Sequence, residues 1–353
     1  MIGYSGPMGN DIKRLQNDFA KMASGGSITG TEATGLITRA KTGKLTESEA
    51  NELRAEVERY KDKLSPEAAA TFKDFIDNKM KKIEVLDIVN TKRPDPLGVH
   101  DPAVLKADKD KLEQQVVKGG KLTVGGVSGD DPMQNYIGDC YLMAAMSSVA
   151  KASPDVIKNA FKDLGNGKYE VTLYDQKGSK LTPHKVEIDA DLPMNDWNGR
   201  VYATARDAHE LWPSLLEKAF AQRAGSYGKI EAGVPGDAMS AITGKPSNDI
   251  DLRAAHTDPN KVFDQLAAAV KAGKPITAAT LSDASEKKYT GTNIYSDHTY
   301  SVWGTSVENG TKYVHLRNPW GESEPEGNGK DDGIFKLPLD KFMSLYSGVS
   351  ING

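Results

Sequence analysis

The chain holds a single cysteine, Cys140. One cysteine cannot form an internal disulfide and is too few for a cysteine-rich zinc site, which leaves a small buried hydrophobe or a nucleophile. Cys140 lies in Gln134-Asn135-Tyr136-Ile137-Gly138-Asp139-Cys140-Tyr141-Leu142-Met143. Gly138-Asp139 reads as a turn and the apolar run behind it as the start of a helix. The sulfur is therefore expected at a helix N-terminus, where the dipole and free N–H groups favour a thiolate. Those amides, with the side-chain amide of Gln134, can donate to the oxyanion of a tetrahedral intermediate.

A thiolate nucleophile needs a general base, and that base needs an orienting group. Of six histidines, His100 falls in a turn-rich stretch, His184 follows Pro183 on a strand edge, His209 begins a helix and His256 precedes one. His315 alternates with apolar Val314 and Leu316, which points it out of a strand. His298 opens the strand His-Thr-Tyr-Ser-Val-Trp after a polar run, where it can reach a cleft. Asn318 ends a later strand, and Pro319 stops that ladder. The Asn318 amide oxygen can accept from an imidazole N–H and fix its tautomer without adding charge, with Trp320 expected to shield the bond from water.

These blocks, in this order, resemble the calpain family of cysteine proteases. The likeness runs over about residues 128–346. It is carried by Gln134 to Met143, by Leu211-Trp212-Pro213-Ser214-Leu215-Leu216-Glu217-Lys218-Ala219-Phe220, by Gly233 to Gly244, by Asp297 to Val302 and by Arg317-Asn318-Pro319-Trp320-Gly321. The resemblance implies a papain-like fold whose helical lobe carries Cys140 and whose β-rich lobe carries His298 and Asn318. It implies attack by a Cys140 thiolate paired with protonated His298, an oxyanion hole of Gln134 and the Cys140 amide, and support from Gly138, Asp139 and Trp320. The chain departs from the family pattern at Tyr141, where tryptophan is usual, and at Asp297, where glycine usually precedes the histidine. The loop after Gly321 is short and lacks a second tryptophan. No cofactor is required by this chemistry. Animal calpains use calcium in their protease core, but acidic ligands cannot be matched one by one here and no segment resembles the regulatory domains, so calcium dependence is not expected. Two other classes share parts of the pattern: transglutaminase or deamidase chemistry, which more often uses aspartate as third member, and a non-catalytic interaction protein on the same fold.

The elements that must position these residues read as an α+β protein in three parts. Residues 1–90 are expected to form a small all-α region. Gly26-Ser27-Ile28-Thr29-Gly30-Thr31-Glu32 and Gly43-Lys44-Leu45-Thr46-Glu47-Ser48-Glu49 both carry a capping-box spacing, and Ser65-Pro66-Glu67 reads as a third helix start. The same spacing mimics half an EF-hand loop, but the leading ligand positions are Lys21, Ala23 and Gly25 in one copy and Thr38, Ala40 and Thr42 in the other. Those residues do not supply the carboxylate ligands a calcium loop usually has there. Residues 91–130 read as a linker or covering segment. Residues 131–353 read as the two-lobed protease domain, helical over about 131–225 and β-rich over about 226–353. In the β-rich part, strands are expected at 275–280, 298–303, 312–317 and 334–337.

With net charge −4 there is no general pull toward nucleic acid or acidic lipid, and no apolar run approaches the ~20 residues of a membrane span. Asp11, Lys13, Arg14 and Asp18 exclude an ordinary signal peptide from the first twenty residues. The expected partners are protein or peptide substrates, with intramolecular regulation by the N-terminal region. The expected location is the cytoplasm, or outside it by a route that needs no signal peptide.

Overall fold

The computed structural model describes residues 19–24, 26–42, 53–54, 56–76, 91–92, 101–105, 112–135, 137–195, 200–325 and 332–353. The chain divides into two compact units, residues 1–87 with 290–293, and residues 88–289 with 294–353.

In the first unit, helix α1 (Gly30–Thr42) starts with a formed capping box. The Thr29 amide donates to Glu32 Oε2 at 2.8 Å, and the Glu32 amide donates to Thr29 Oγ1 at 3.3 Å. Helix α2 (Pro66–Asp74) is capped by Ser65, whose hydroxyl oxygen accepts from the Ala68 amide at 3.1 Å. Phe19, Ile28, Leu36, Leu53, Phe72 and Phe75 close a core of their own. Lys21 and Ala23 lie in helix, and Ala23 is buried. The second capping-box copy, residues 43–49, falls outside the described residues.

The second unit is a mixed α/β fold with antiparallel sheets and two hydrophobic clusters. It opens with strands β1 (Thr91–Lys92) and β2 (Leu112–Val116) and the short β3 (Pro132–Met133). Helix α3 (Cys140–Ala152) follows; from Leu142 to Ala150 every residue is buried, as expected of a helix apolar on all faces. Helix α4 (Pro154–Ala160) leads into a meander of β4 (Phe161–Gly165), β5 (Lys168–Lys177) and β6 (Lys180–Asp189). Strand β7 (Asp191–Asn195) pairs with β2, and β8 (Thr204–Ala205) pairs with β3. Helices α5 (Trp212–Ala224) and α6 (Pro235–Thr243) each have proline in the first turn and end on left-handed glycine, Gly225 and Gly244.

The remaining residues form a six-stranded sheet in the order β13-β12-β11-β10-β14-β9, flanked by helices. Its members are β9 (Ser247–Asp251), β10 (Ile276–Thr280), β11 (Thr299–Glu308), β12 (Thr311–Arg317), β13 (Ile334–Pro338) and β14 (Tyr346–Asn352). Helix α7 (Pro259–Lys271) is capped by Asp258, and α8 (Leu339–Leu345) precedes the last strand. Strands β11 and β12 form a hairpin over Asn309-Gly310, both at positive φ, the residue pair that fits a tight turn between twisted strands.

Two features add to the sequence reading. Residues 101–105 and 112–127 cover the helical cluster: Val117 is part of it and Val104, Leu105, Leu112, Leu122 and Val127 pack on it. Their turn formers mask apolar residues spaced too widely to show a period. Strands β9 and β14, rich in serine, asparagine and aspartate, carry little β signal and are held by their partners.

Candidate active site

Cys140 is the first residue of α3. The turn before it is tied by the Leu142 and Met143 amides, which donate to Asp139 O at 2.8 and 3.1 Å, and by the Ala232 amide, which donates to Gly138 O at 2.9 Å. Helix α3 packs against β10 and β11. Ser301 donates to Ala144 O at 2.9 Å, Ser148 donates to Ile276 O at 2.8 Å, and Trp303 Nε1 donates to Ser147 Oγ at 3.3 Å. This brings the start of β11 alongside the start of α3, and the Cys140 thiol interacts with the backbone amide and hydroxyl of Thr299.

His298 immediately precedes Thr299. Its backbone is clamped by Thr280, whose hydroxyl accepts from the His298 amide at 2.9 Å and donates to the His298 carbonyl at 3.0 Å. The hairpin register sets Ser301 opposite Arg317; Asn318 follows Arg317 directly, His298 lies three residues before Ser301, and their side chains meet. His298 Nε2 lies 2.9 Å from Asn318 Oδ1. Asn318 Nδ2 donates to Ser323 O at 3.1 Å, and Oδ1 also accepts from the Trp320 amide at 3.3 Å. The amide therefore presents its oxygen to the ring. Nε2 carries the proton, and Nδ1 is left as the basic nitrogen. The Trp320 ring lies 4.6 Å from the imidazole at 38°, with Tyr300 and Tyr295 edge-on at 5.0 and 6.3 Å. Asn318 is fully buried, and His298 and Trp320 nearly so.

This dry setting decides the charge state. Burial pushes the imidazole down to about 4, against a smaller upward pull from Asn318. Burial pushes the Cys140 thiol up to about 11; Thr299 pulls it down, while Asp139 and Asp297 push it further up. The helix N-terminus was expected to favour a thiolate, but here desolvation outweighs that local effect. Both shifts act against charge on the two groups in this arrangement.

Gln134 ties the cysteine segment to the asparagine segment, its amide donating to Pro319 O at 2.9 Å. One N–H of its side chain donates to Ile137 O at 2.7 Å, and a primary amide has a second. Arg317, one residue before Asn318 and fully buried, reaches the same segment. It donates from Nη2 to Asp130 O at 2.8 Å and Pro132 O at 2.9 Å, and from Nε to Asp130 Oδ1 at 3.2 Å. Thr280, Thr299 and Arg317 escaped the sequence reading of the site. Each acts through a contact more than a hundred residues away except Thr280, whose partner is eighteen residues on.

Among the described residues, the acids close enough together to hold a metal are Asp101, Asp189 and Asp191. Lys218 already fills that place. Its ammonium pairs with Asp101, with Asp189 Oδ1 at 2.6 Å and with Asp191 Oδ1 at 2.6 Å. With a fixed cation at its centre, the triad does not fit a metal ion. No helix of the described residues is long and apolar enough to cross a membrane.

The family model for calpain family cysteine proteases matches residues 106–348. The chain belongs to the calpain family. It is 30% identical over 215 residues to the calpain-type cysteine protease DEK1 of Zea mays, covering 59% of this chain and 10% of that protein. It is 30% identical over 231 residues to human calpain-9, covering 63% of this chain and 32% of that protein. It is 28% identical over 243 residues to the calpain-1 catalytic subunit of Mus musculus, covering 66% and 33%. The chain thus spans about a tenth to a third of the length of these relatives.

Two of the departures from the calpain pattern have physical readings in the structure. Asp297, where a glycine is usual, has φ 49; aspartate is one of the few other residues that tolerates this left-handed backbone. Tyr141, where tryptophan is usual, lays its ring against Gly233, where an added Cβ would come within 2.4 Å of it. An aromatic ring still covers that glycine.

Proposed function

We propose that this calpain-family chain is a cysteine endopeptidase with a two-lobed papain-like core, preceded by a helical region over residues 1–90 and a covering segment over 91–130. Cys140 attacks the scissile carbonyl as its proton passes to His298 Nδ1. The tetrahedral oxyanion is held by the Cys140 amide and the second N–H of Gln134. His298, kept in one tautomer by Asn318, then protonates the leaving amine, and water releases the acyl-enzyme. The observation that carries this reading is the buried His298–Asn318 pair, set on the residue before the one that meets the Cys140 thiol. An asparagine in third place favours peptide hydrolysis over transglutamination or deamidation. The chemistry needs no cofactor, because nucleophile, base and orienting group are all side chains. Residues 1–90 we propose to restrain or target the protease.

The test is incubation of the full chain and its Cys140→Ala variant with an unfolded protein substrate, with and without calcium, followed by mass spectrometry of the products. Cleavage or self-cleavage by the wild type alone supports the reading, and the calcium arm tells whether an added cation matters. Equal absence of cleavage in both proteins under both conditions sinks it.

A further inference from the structure

Asp139 stands just before α3, where an aspartate ordinarily caps the helix. Its carboxyl makes no capping bond. It is fully buried, and apart from its own backbone amide and the contact described next it has no hydrogen-bonding neighbour among the described residues. The group it faces is the carboxyl of Glu217 on α5, also buried, whose two oxygens each lie 3.0 Å from the Ala203 amide. Among the described residues no lysine or arginine pairs with either acid; Lys218, next along α5, is committed to Asp101, Asp189 and Asp191. The other ionisable groups facing the pair are Cys140, Tyr141, Tyr227 and Glu231, with Arg223 acting on Tyr141. None of them supplies a positive charge to it. Two carboxyls that face each other with no donor or counter-ion between them are satisfied only if one of them is protonated.

We infer that Asp139 and Glu217 share one proton in a carboxyl–carboxyl hydrogen bond, and that this bond positions Cys140 by tying the turn before α3 to α5. While the proton is held, the pair carries one negative charge. Its loss puts a second negative charge behind the thiol and breaks the tie. Burial raises both acids above the carboxylate range, Asp139 to about 8, so the proton is retained at neutral pH. The field of Asp139 in turn raises Cys140. The two acids are positioning residues. Their role rests on the protease reading only through the assignment of Cys140 as nucleophile.

The test follows the rate of Cys140 alkylation by iodoacetamide against pH in the full chain. It needs no proteolytic activity, and the label is unambiguous because the chain has one cysteine. Glu217→Gln and Asp139→Asn each keep a hydrogen bond and have no shared proton to lose. Both are expected to lower the alkylation midpoint by about one unit, a ~10-fold faster reaction at a fixed pH between the titration of the pair and that midpoint, with the rates converging below it. Infrared difference spectra, wild type minus Glu217→Gln, are expected to show a protonated-carboxyl band near neutral pH that fades in alkali. Taking the difference removes the second raised acid pair, Glu210 with Asp131. An unchanged midpoint in both folded variants, or no carboxyl band in the difference, overturns the inference. A shifted midpoint in a chain that cleaves nothing upholds the pair and counts only against the protease reading.

Discussion

The neutral, caged imidazole of His298 makes a quantitative claim about stability. Its folded pKa, about 4, lies below the ordinary value of 6.5. A base whose pKa is depressed by folding binds fewer protons in the native state than in the unfolded one. Its contribution to stability is complete above the unfolded value and is lost as pH falls through the folded one. The full difference is worth on the order of 3 kcal/mol at ~1.4 kcal/mol per pKa unit. Between about pH 7.5 and about pH 4.5, most of it is expected to disappear. Carboxylates titrate in the same window, so the measurement is a difference: urea unfolding of Cys140→Ala against Cys140→Ala/His298→Gln at both pH values. The first change removes self-digestion. Tryptophan fluorescence is the probe, because Trp212, Trp303 and Trp320 belong to the second unit. The protein that keeps His298 should lose roughly 2–3 kcal/mol more on acidification than the double variant. Losses equal to within about 0.5 kcal/mol, the additivity limit of such comparisons, would refute the claim that burial decides the charge of this ring.

Two further substitutions probe what holds the site in place. Arg317→Met removes a buried guanidinium and strands two carbonyls, Asp130 O and Pro132 O. It is expected to cost about 3–5 kcal/mol in urea unfolding, and Arg317→Lys to restore only part, since an ammonium cannot make the forked contacts. Lys218→Met leaves Asp101, Asp189 and Asp191 without their cation. A loss of about 3–5 kcal/mol is expected near neutral pH. The deficit should shrink in acid, because the stranded carboxyls take up protons there, and a deficit independent of pH would count against the ion cluster.

The site was legible in sequence where its signals are local. The turn residues before Cys140, the strand opening at His298 and the strand stop at Asn318-Pro319 each show in a few neighbouring residues. The strands expected at 312–317 and 334–337 came out within a residue of their observed bounds, β12 at 311–317 and β13 at 334–338. What stayed hidden depends on residues far apart. Glu217 faces Asp139 across 78 positions, and Ser301 reaches Ala144 across 157. No periodicity reports such contacts. Helix α8, seven residues long, is too short for an amphipathic period to show.

The thiol shows why local and tertiary signals can oppose each other. A helix N-terminus stabilises a thiolate by an amount that falls off within one turn and is modest beside desolvation. Tertiary packing around Cys140 acts against that effect and raises the thiol. The aromatic residues around His298 do the same for the base: Trp320 and Tyr300 shield its bond to Asn318 and hold the ring neutral. In the proposed mechanism a neutral thiol and a neutral imidazole put the proton transfer inside the reaction: Cys140 would give its proton to His298 as the carbonyl is attacked, and the developing oxyanion would offset the new positive charge. The buried proton between Asp139 and Glu217 belongs to the same scheme, because it keeps a second negative charge away from the sulfur at the pH where that transfer must occur.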